Sequence, residues 1–263
     1  MKESINKAYL IYDPVDIEKN TWFINHMIEC FKQYDVELTL IKDYEYSTIT
    51  SALFILNRSR NVEIATYFEK LKIPTFNSSL VCLLGNNKYQ AYEYLKPFTN
   101  NILPYLYNDI IEYPCVLKSL NGHGGSEVFL IDTQETYTKS KNTLNKDFIT
   151  QQLLKDYGVD VRVYILNNQI YACVKRVSHT SFKSNYSLGG SVSLYTLTSK
   201  QQQTLNTILE NIHFDFVGID FLMDQDENFY FNEIEDVVGT RMLYQLSNQD
   251  IIKDYAKMVM SKL

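Results

Sequence analysis

The chain has 263 residues, 45% of them hydrophobic and 21% charged, which suits a soluble globular protein with a sizeable core and one or more subdomains. Its net charge of −6, with no Lys/Arg run, argues against nucleic acid or a membrane surface as partner. It shows no N-terminal signal and no run of about 18 apolar residues. Four scattered cysteines (Cys30, Cys82, Cys115 and Cys173) form no CxxC, so a cytoplasmic chain with buried, reduced thiols is expected.

In chain order, residues 7–12 (KAYLIY) read as an apolar strand stopped by Asp13-Pro14. Asp16 is a cap for a helix through about Tyr34, with Trp22, Phe23, Met27 and Phe31 at helical spacing. Residues 36–41 and 52–56 read as further strands, 64–71 as a short helix, and 73–76 as an extended piece. This β-α-β-β-α-β alternation predicts a small three-layer α/β unit. Arg58 follows the third strand, at the carboxyl end where such sheets bind ligands, so it is either an anion contact or a solvated loop residue. Residues 83–96 read as a helix with Asn86 or Asn87 near its start. Lys88 in its first turn gains nothing from the helix dipole, so it is a surface residue unless an anion also approaches there.

Residues 113–131 carry Lys118 inside an apolar strand. The run Gly122-His123-Gly124-Gly125-Ser126 follows, and then a second strand. The backbone of such a loop can fold over phosphates, with Lys118 as a point charge. It is neither a Walker A loop nor a GxGxxG turn. Residues 148–154 form another strand. In 159–166 the alternation places Asp160, Arg162 and Tyr164 on one face, before an Asn167-Asn168 turn and a return strand at 169–177. A polar stretch at 178–193 leads to a helix at 198–212, with Thr198 and Gln201 as a capping box and Leu205, Ile208, Leu209 and Ile212 as its buried stripe.

Residues 217–244 read as strand, polar turn, strand and Gly-containing loop. Glu233 and Glu235, two apart, share a face, and a loop at 225–228 sets Asp220 opposite Glu233. Three carboxylates on one face repel unless something positive lies between them, and hard oxygens suit Mg²⁺ or Mn²⁺, usually carrying nucleotide phosphates. Two other readings stay open. The acids could be the solvated side of an edge hairpin. Asp224, Asp226, Asn228 and Glu235 also fall at ligand positions of a calcium loop, although Phe229 stands where that loop needs Gly. Residues 249–263 read as a last helix.

The order of these motifs resembles the ATP-grasp superfamily, and within it the RimK-like carboxylate–amine ligases, over roughly residues 74–244. Asn87-Lys88 is similar to the first nucleotide lysine, Lys118 to the second, and Gly122, Gly124, Gly125 and Ser126 to the phosphate-covering loop. Gln151, Gln152, Leu153 and Leu154 resemble the adenine hinge, and Asp160-Val161-Arg162 the D-x-R strand. Lys175-Arg176, Phe182-Lys183-Ser184-Asn185 and Gly189-Gly190 resemble the K-R, F-R-S-N and G-G run. Asp220, Glu233 and Glu235 match the metal ligands. The chain departs from the pattern at Glu235 (usually Asn), Glu127 (commonly Gly), His123 (a Thr-like position), Leu188 (basic in RimK) and residues 240–244 (usually Pro-Gly).

The resemblance implies an α/β ATP-grasp fold. Its parts are an N-terminal three-layer domain at 1–86, a lid subdomain at 87–154 and a metal-bearing subdomain at 155–263. The implied cofactors are ATP and two Mg²⁺ (or Mn²⁺), the implied intermediate is an acylphosphate attacked by an amine, and the products include ADP and phosphate. Arg176, Asn185 and Arg241 would be catalytic, and Lys175 would join the nucleotide contacts. Arg58, Arg162 and Arg241 would bind a substrate carboxylate, although Arg162 could instead pair with Asp160 or Glu233 and Lys175 could be plain surface. An amino acid or peptide substrate, a protein or peptide acceptor and a homodimer are the implied partners. The alternatives are a peptide- or protein-tailoring enzyme, and an ATP-binding module or kinase without condensation.

Overall fold

The computed structural model of the protein describes residues 6–155, 157–178 and 190–263. Its first sheet contains β1 (Lys7–Tyr12), β2 (Glu37–Lys42), β3 (Ile55–Arg58) and β4 (Thr75–Phe76), all parallel, in the order β2-β1-β3-β4. Runs such as KAYLIY lack polar alternation because a parallel sheet is covered on both faces. The helices between the strands are α1 (Pro14–Ile17), α2 (Thr21–Lys32) and α3 (Val62–Lys70), with α4 (Ser79–Gly85) and α5 (Lys88–Leu95) after β4. Two helix expectations need correction. Asp13, not Asp16, caps the first helix, and a 3₁₀ turn at Glu18–Asn20 separates α1 from α2. Because α2 starts at Thr21, its inward stripe is Phe23, Ile24, Met27, Cys30 and Phe31, and Trp22 is left 59% exposed. The single helix expected at 83–96 is two helices, because the Asn87 side chain caps a fresh start at Lys88 by accepting from the Gln90 N–H.

The second sheet is antiparallel, in the order β5-β8-β6-β7, from β5 (Tyr105–Tyr107), β6 (Cys115–Ser119), β7 (Val128–Ile131) and β8 (Phe148–Gln152). Helix α6 (Gln134–Leu144), capped by Thr133, follows β7. The third sheet is also antiparallel, in the order β11-β10-β9-β12-β13. It comprises β9 (Val159–Leu166), β10 (Gln169–Val177), β11 (Ser191–Leu194), β12 (Phe216–Met223) and β13 (Phe229–Glu235). Asn167 and Asn168 both take positive φ, 51° and 58°, as a two-residue turn matched to strand twist requires. Helix α7 (Ser199–Asn211) starts with the Thr198–Gln201 capping box. Helices α8 (Arg241–Leu246) and α9 (Ile251–Ser261) end the chain, and α8 occupies a stretch whose sequence reads as loop.

One core joins the first sheet and α2 to Phe216, α8 and α9; a second joins β9, β12 and β13 to α4, α5 and α7. All four cysteines are buried and free. Among the described residues no helix is long and apolar enough to cross a membrane.

Candidate active site

The β12–β13 hairpin sets Asp220 opposite Glu233 and Gly218 opposite Glu235. A bulge follows: Phe221 pairs with Phe231, so Asn232 is the extra residue. The oxygens of Asp220, Glu233 and Glu235 lie within 4.8 Å of one another. They are not the solvated side of an edge hairpin, because Asp220 is buried and the two glutamates are largely covered. The calcium-loop reading also fails. Asp224 spends its carboxylate inside the turn, accepting from the Asn228 N–H (2.8 Å), Asn228 Nδ2 (2.9 Å) and the Tyr230 hydroxyl (3.2 Å), while Glu235 faces Arg162.

Protein cations already lie between these acids. Arg162, in register with Asp220 on β9, donates to it bidentately (Nε–Oδ1 2.8 Å, Nη2–Oδ2 2.7 Å) and meets Glu235 Oε1 at 2.6 Å. Arg176 bridges Asp160 and Asp220, with Nη2 at 3.0 Å from Asp160 Oδ2 and 2.6 Å from Asp220 Oδ2. Lys88 Nζ lies 3.0 Å from Glu233 Oε2 and donates to the Gly122 carbonyl at 2.7 Å. Burial pushes the Asp220 carboxyl up, but the Arg162 and Arg176 guanidiniums outweigh it and hold it well below the usual range. Glu233 is also lowered, burial being overcome by Lys88, whereas at Glu235 burial wins over Arg162 and the carboxyl is raised.

Lys118 donates to Gln151 Oε1 and Asn232 Oδ1, both at 2.7 Å. Burial, and secondarily Lys88, lowers its pKa to about 8. Both lysines line a cleft between the second and third sheets. Val116, Val128, Leu153, Leu154 and Leu222 give it apolar walls. Gln151, Gln152, Gly122, Gly125, Asn232 and Glu233 add polar groups. Gln151 Nε2 is buried there without a hydrogen-bond partner among the described residues. In the glycine loop Gly124 has φ +64° with open space where a Cβ would stand, and Ser126 Oγ donates to the His123 carbonyl at 3.1 Å. Glu127 anchors the end of the loop, accepting from Ser119 Oγ at 2.5 Å and pairing with Lys146 at 2.7 Å.

Three sequence candidates are not in this cluster, and a fourth falls outside the described residues. Arg58 is not an open anion contact. It is 6% exposed, with Nε donating to the Tyr12 hydroxyl (2.9 Å), Nη2 to the Val238 carbonyl (2.9 Å) and its plane 4.4 Å from the Phe23 ring centre. Arg241 is exposed at the start of α8 and donates to the Lys19 carbonyl. Lys175 lies 5.7 Å over the Tyr195 ring and lines a different cleft, with Met223 and Asp224. Asn185, with residues 182–184 and Gly189, lies outside the described residues.

Sequence reasoning missed Asn232 and Arg60. Buried apolar residues at 229, 231 and 234 change step from two to three, which is the mark of the bulge that turns Asn232 toward Lys118. Arg60, at φ +64°, pairs with Asp16 and lines a second cleft with Asn86, Asn87, Asn121 and His123 of the glycine loop. Burial first, then Arg60 and Lys88, lowers His123 to about 4, so its ring is neutral near pH 7.

One parallel sheet followed by two antiparallel sheets that enclose a lysine- and carboxylate-lined cleft is the ATP-grasp fold. The crystal structure of D-alanine–D-alanine ligase from Bacillus anthracis complexed with ATP superposes with a TM-score of 0.75 at 13% identity, over 97% of this chain and 96% of that one. Residues 99–259 match the RimK-like ATP-grasp domain, and the chain belongs to that family. It is 30% identical to Uncharacterized protein MG011 of Mycoplasma genitalium over 267 residues, covering 97% of this chain and 93% of that protein. It is 32% identical to human N-acetylaspartylglutamate synthase A over 150 residues, 54% of this chain and 38% of that protein.

Proposed function

We propose that the protein is an ADP-forming ligase that joins a small carboxylate to an amine. The observation that carries this reading is the polarity of the main cleft. Its Val116, Leu153, Leu154 and Leu222 walls suit a nucleobase, and Lys88 and Lys118 stand beside Glu233 under a glycine loop. A relative named N-acetylaspartylglutamate synthase and a fold neighbour named D-alanine–D-alanine ligase support it.

The residues fit the groups this chemistry needs. The Gln151 side chain offers an amide beside the apolar walls. Asp220, Glu233 and Glu235 offer converging hard oxygens that would hold Mg²⁺. Mg-ATP, when bound, would supply the phosphoryl group that activates a carboxylate as an acylphosphate with release of ADP, and an amine would then displace phosphate. The chain's own part is positioning, charge balance and exclusion of water. Lys88 and Lys118 supply positive charge to phosphates, and the 122–126 loop covers them. Arg176, fixed by Asp160 and Asp220, presents charge from the third sheet. Arg60, which lines this cleft and pairs with Asp16, would receive a substrate carboxylate in place of the buried Arg58. Asn86, Asn87 and Asn121 give that cleft the amide groups a small polar acid would meet.

The test is ADP release from the purified chain with pooled amino acids, dipeptides and small acids, with products identified by mass spectrometry. An acid–amine pair should release ADP and yield a condensed product, and Glu233→Gln should lower the rate by roughly 100-fold or more. ADP release without any condensed product would favour a kinase. Near-normal turnover in Glu233→Gln would overturn the assignment of Glu233.

A further inference from the structure

Away from the cleft, α2 and the start of α9 meet at a polar cluster that the ligase reading does not use. His26 and Cys30 are one turn apart on α2 and so share a face. Asp250 is the N-cap of α9. His26 Nε2 lies 2.9 and 3.0 Å from the two Asp250 oxygens and 3.8 Å from Cys30 Sγ, and the three donor atoms fall within 4.8 Å of one another. Tyr244 donates its hydroxyl to Asp250 Oδ1 at 2.7 Å. The arrangement is not a nucleophile relay. In a relay the thiol and the carboxylate use opposite ring nitrogens, whereas here both meet Nε2. Burial, reinforced by Asp250, also pushes the Cys30 thiol up to about 11, away from a reactive thiolate.

We propose that His26, Cys30 and Asp250 form a site for a borderline divalent cation, Zn²⁺ foremost, that clasps α2 to the start of α9. Sulfur, imidazole and carboxylate are the Zn²⁺ donor set. Tetrahedral bonds of about 2.0–2.3 Å put neighbouring N and O ligands about 3.4 Å apart and N and S about 3.6 Å apart. The observed 2.9 and 3.8 Å bracket those spacings for the two pairs that meet at Nε2, and the Cys30 Sγ to Asp250 oxygen edge, within 4.8 Å, closes to about 3.6 Å when the ion binds. The ion replaces the proton shared by Nε2 and Asp250 and the proton of the thiol, and water completes the fourth position. The Tyr244 hydroxyl orients the carboxylate from outside the ligand set. Cys30 is buried while His26 and Asp250 are partly exposed, which gives the ion a route in.

The chain carries its own reporter. Trp22 is its one tryptophan, and its ring stacks on His26 at 5.1 Å. Co²⁺ added to the full chain should quench that fluorescence and produce a near-ultraviolet thiolate-to-cobalt band at one equivalent, and Zn²⁺ should reverse both. Cys30→Ala should abolish the band, and Asp250→Asn, which keeps the helix cap, should weaken binding. Tyr244→Phe should weaken it by roughly 10–100-fold. The oxygen-only cluster of Asp220, Glu233 and Glu235 cannot give a thiolate band, so binding there is distinguishable. Absence of the band in the native chain, or a band that survives Cys30→Ala in a protein with native circular dichroism, overturns the proposal and leaves a hydrogen-bonded His–Asp contact.

Discussion

If Lys118, with a pKa of about 8, meets nucleotide phosphate as proposed, nucleotide affinity depends on pH in one direction. Lys118 is depressed because burial disfavours its charge; Glu233 offsets this only in part, and Lys88 adds a smaller repulsion. Phosphate beside Nζ favours the charged form, so binding raises the pKa and takes up a proton. Affinity is then full below about pH 8 and falls as pH rises through it. One unit above the free pKa only about a tenth of the lysine is charged, which costs roughly tenfold in affinity, about 1.4 kcal/mol. The nucleotide's own last phosphate ionisation, near pH 6, is complete before this range. The assay is calorimetric titration with Mg-ADP at about pH 7, 8 and 9, in buffers of different ionisation enthalpy. Heats should report proton uptake at the upper end. Lys118→Arg, charged throughout, should flatten the profile. Lys118→Met should lower affinity at pH 7 and remove the step. A native affinity flat from pH 7 to 9, or an unchanged slope in Lys118→Arg, refutes the reasoning.

Two further outcomes separate structural from ligand-binding groups. Arg58→Ala removes two charge-assisted hydrogen bonds and strands the Val238 carbonyl, so stability in urea should fall by about 3 kcal/mol, while KM for the carboxylate stays within about twofold in whatever fold survives. Arg60→Ala should do the reverse, raising KM with little change in the urea midpoint. Gly122→Ala places a Cβ 2.2 Å from Ser119 Oγ and 2.6 Å from Glu127 Oε2. It should break the Ser119–Glu127 bond and weaken nucleotide binding while leaving the melting temperature within a few degrees, read by differential scanning fluorimetry.

Much of this was legible because it is written in local chemistry. The carboxylate hairpin, the Gly loop, both lysines and the 151–154 segment are patterns of neighbours in sequence, and their positions followed from strand period and turn length. What was not legible depends on partners far along the chain. Arg58 looks like a loop cation until Tyr12, Phe23 and Val238 enclose it. Nothing near Arg60 announces that a positive φ turns it toward the glycine loop. The break at Asn86–Asn87 was missed because apolar spacing runs across it, and only the Asn87 cap shows a second helix starting. Helix α8 was missed because six residues without a side-chain cap carry little periodic signal.

The three carboxylates share a face, yet they are not equivalent, and the difference bears on the unusual Glu235. Of roughly four lone-pair positions on a carboxylate, Asp220 gives three to guanidinium N–H groups. The contacts of Glu233 and Glu235 each engage one oxygen. Asp220 is therefore the anchor that lets two buried arginines sit side by side, and the glutamates have more oxygen to offer a cation. An amide in place of Glu235 would leave Arg162 relying on Asp220 alone, so the extra negative charge answers the second arginine. The two substitutions should separate. In EDTA, Asp220→Asn leaves Arg162 and Arg176 undercompensated and should lower stability by about 3 kcal/mol. Glu235→Gln should melt within a few degrees of native in EDTA, because Arg162 keeps its bidentate partner, but it should need several-fold more Mg²⁺ to bind ADP. Thermal unfolding in EDTA and Mg²⁺ titrations of ADP binding measure the two effects independently. If Asp220→Asn melts like the native chain and shows the same Mg²⁺ shift as Glu235→Gln, Asp220 is simply a third ligand and its anchoring role is wrong.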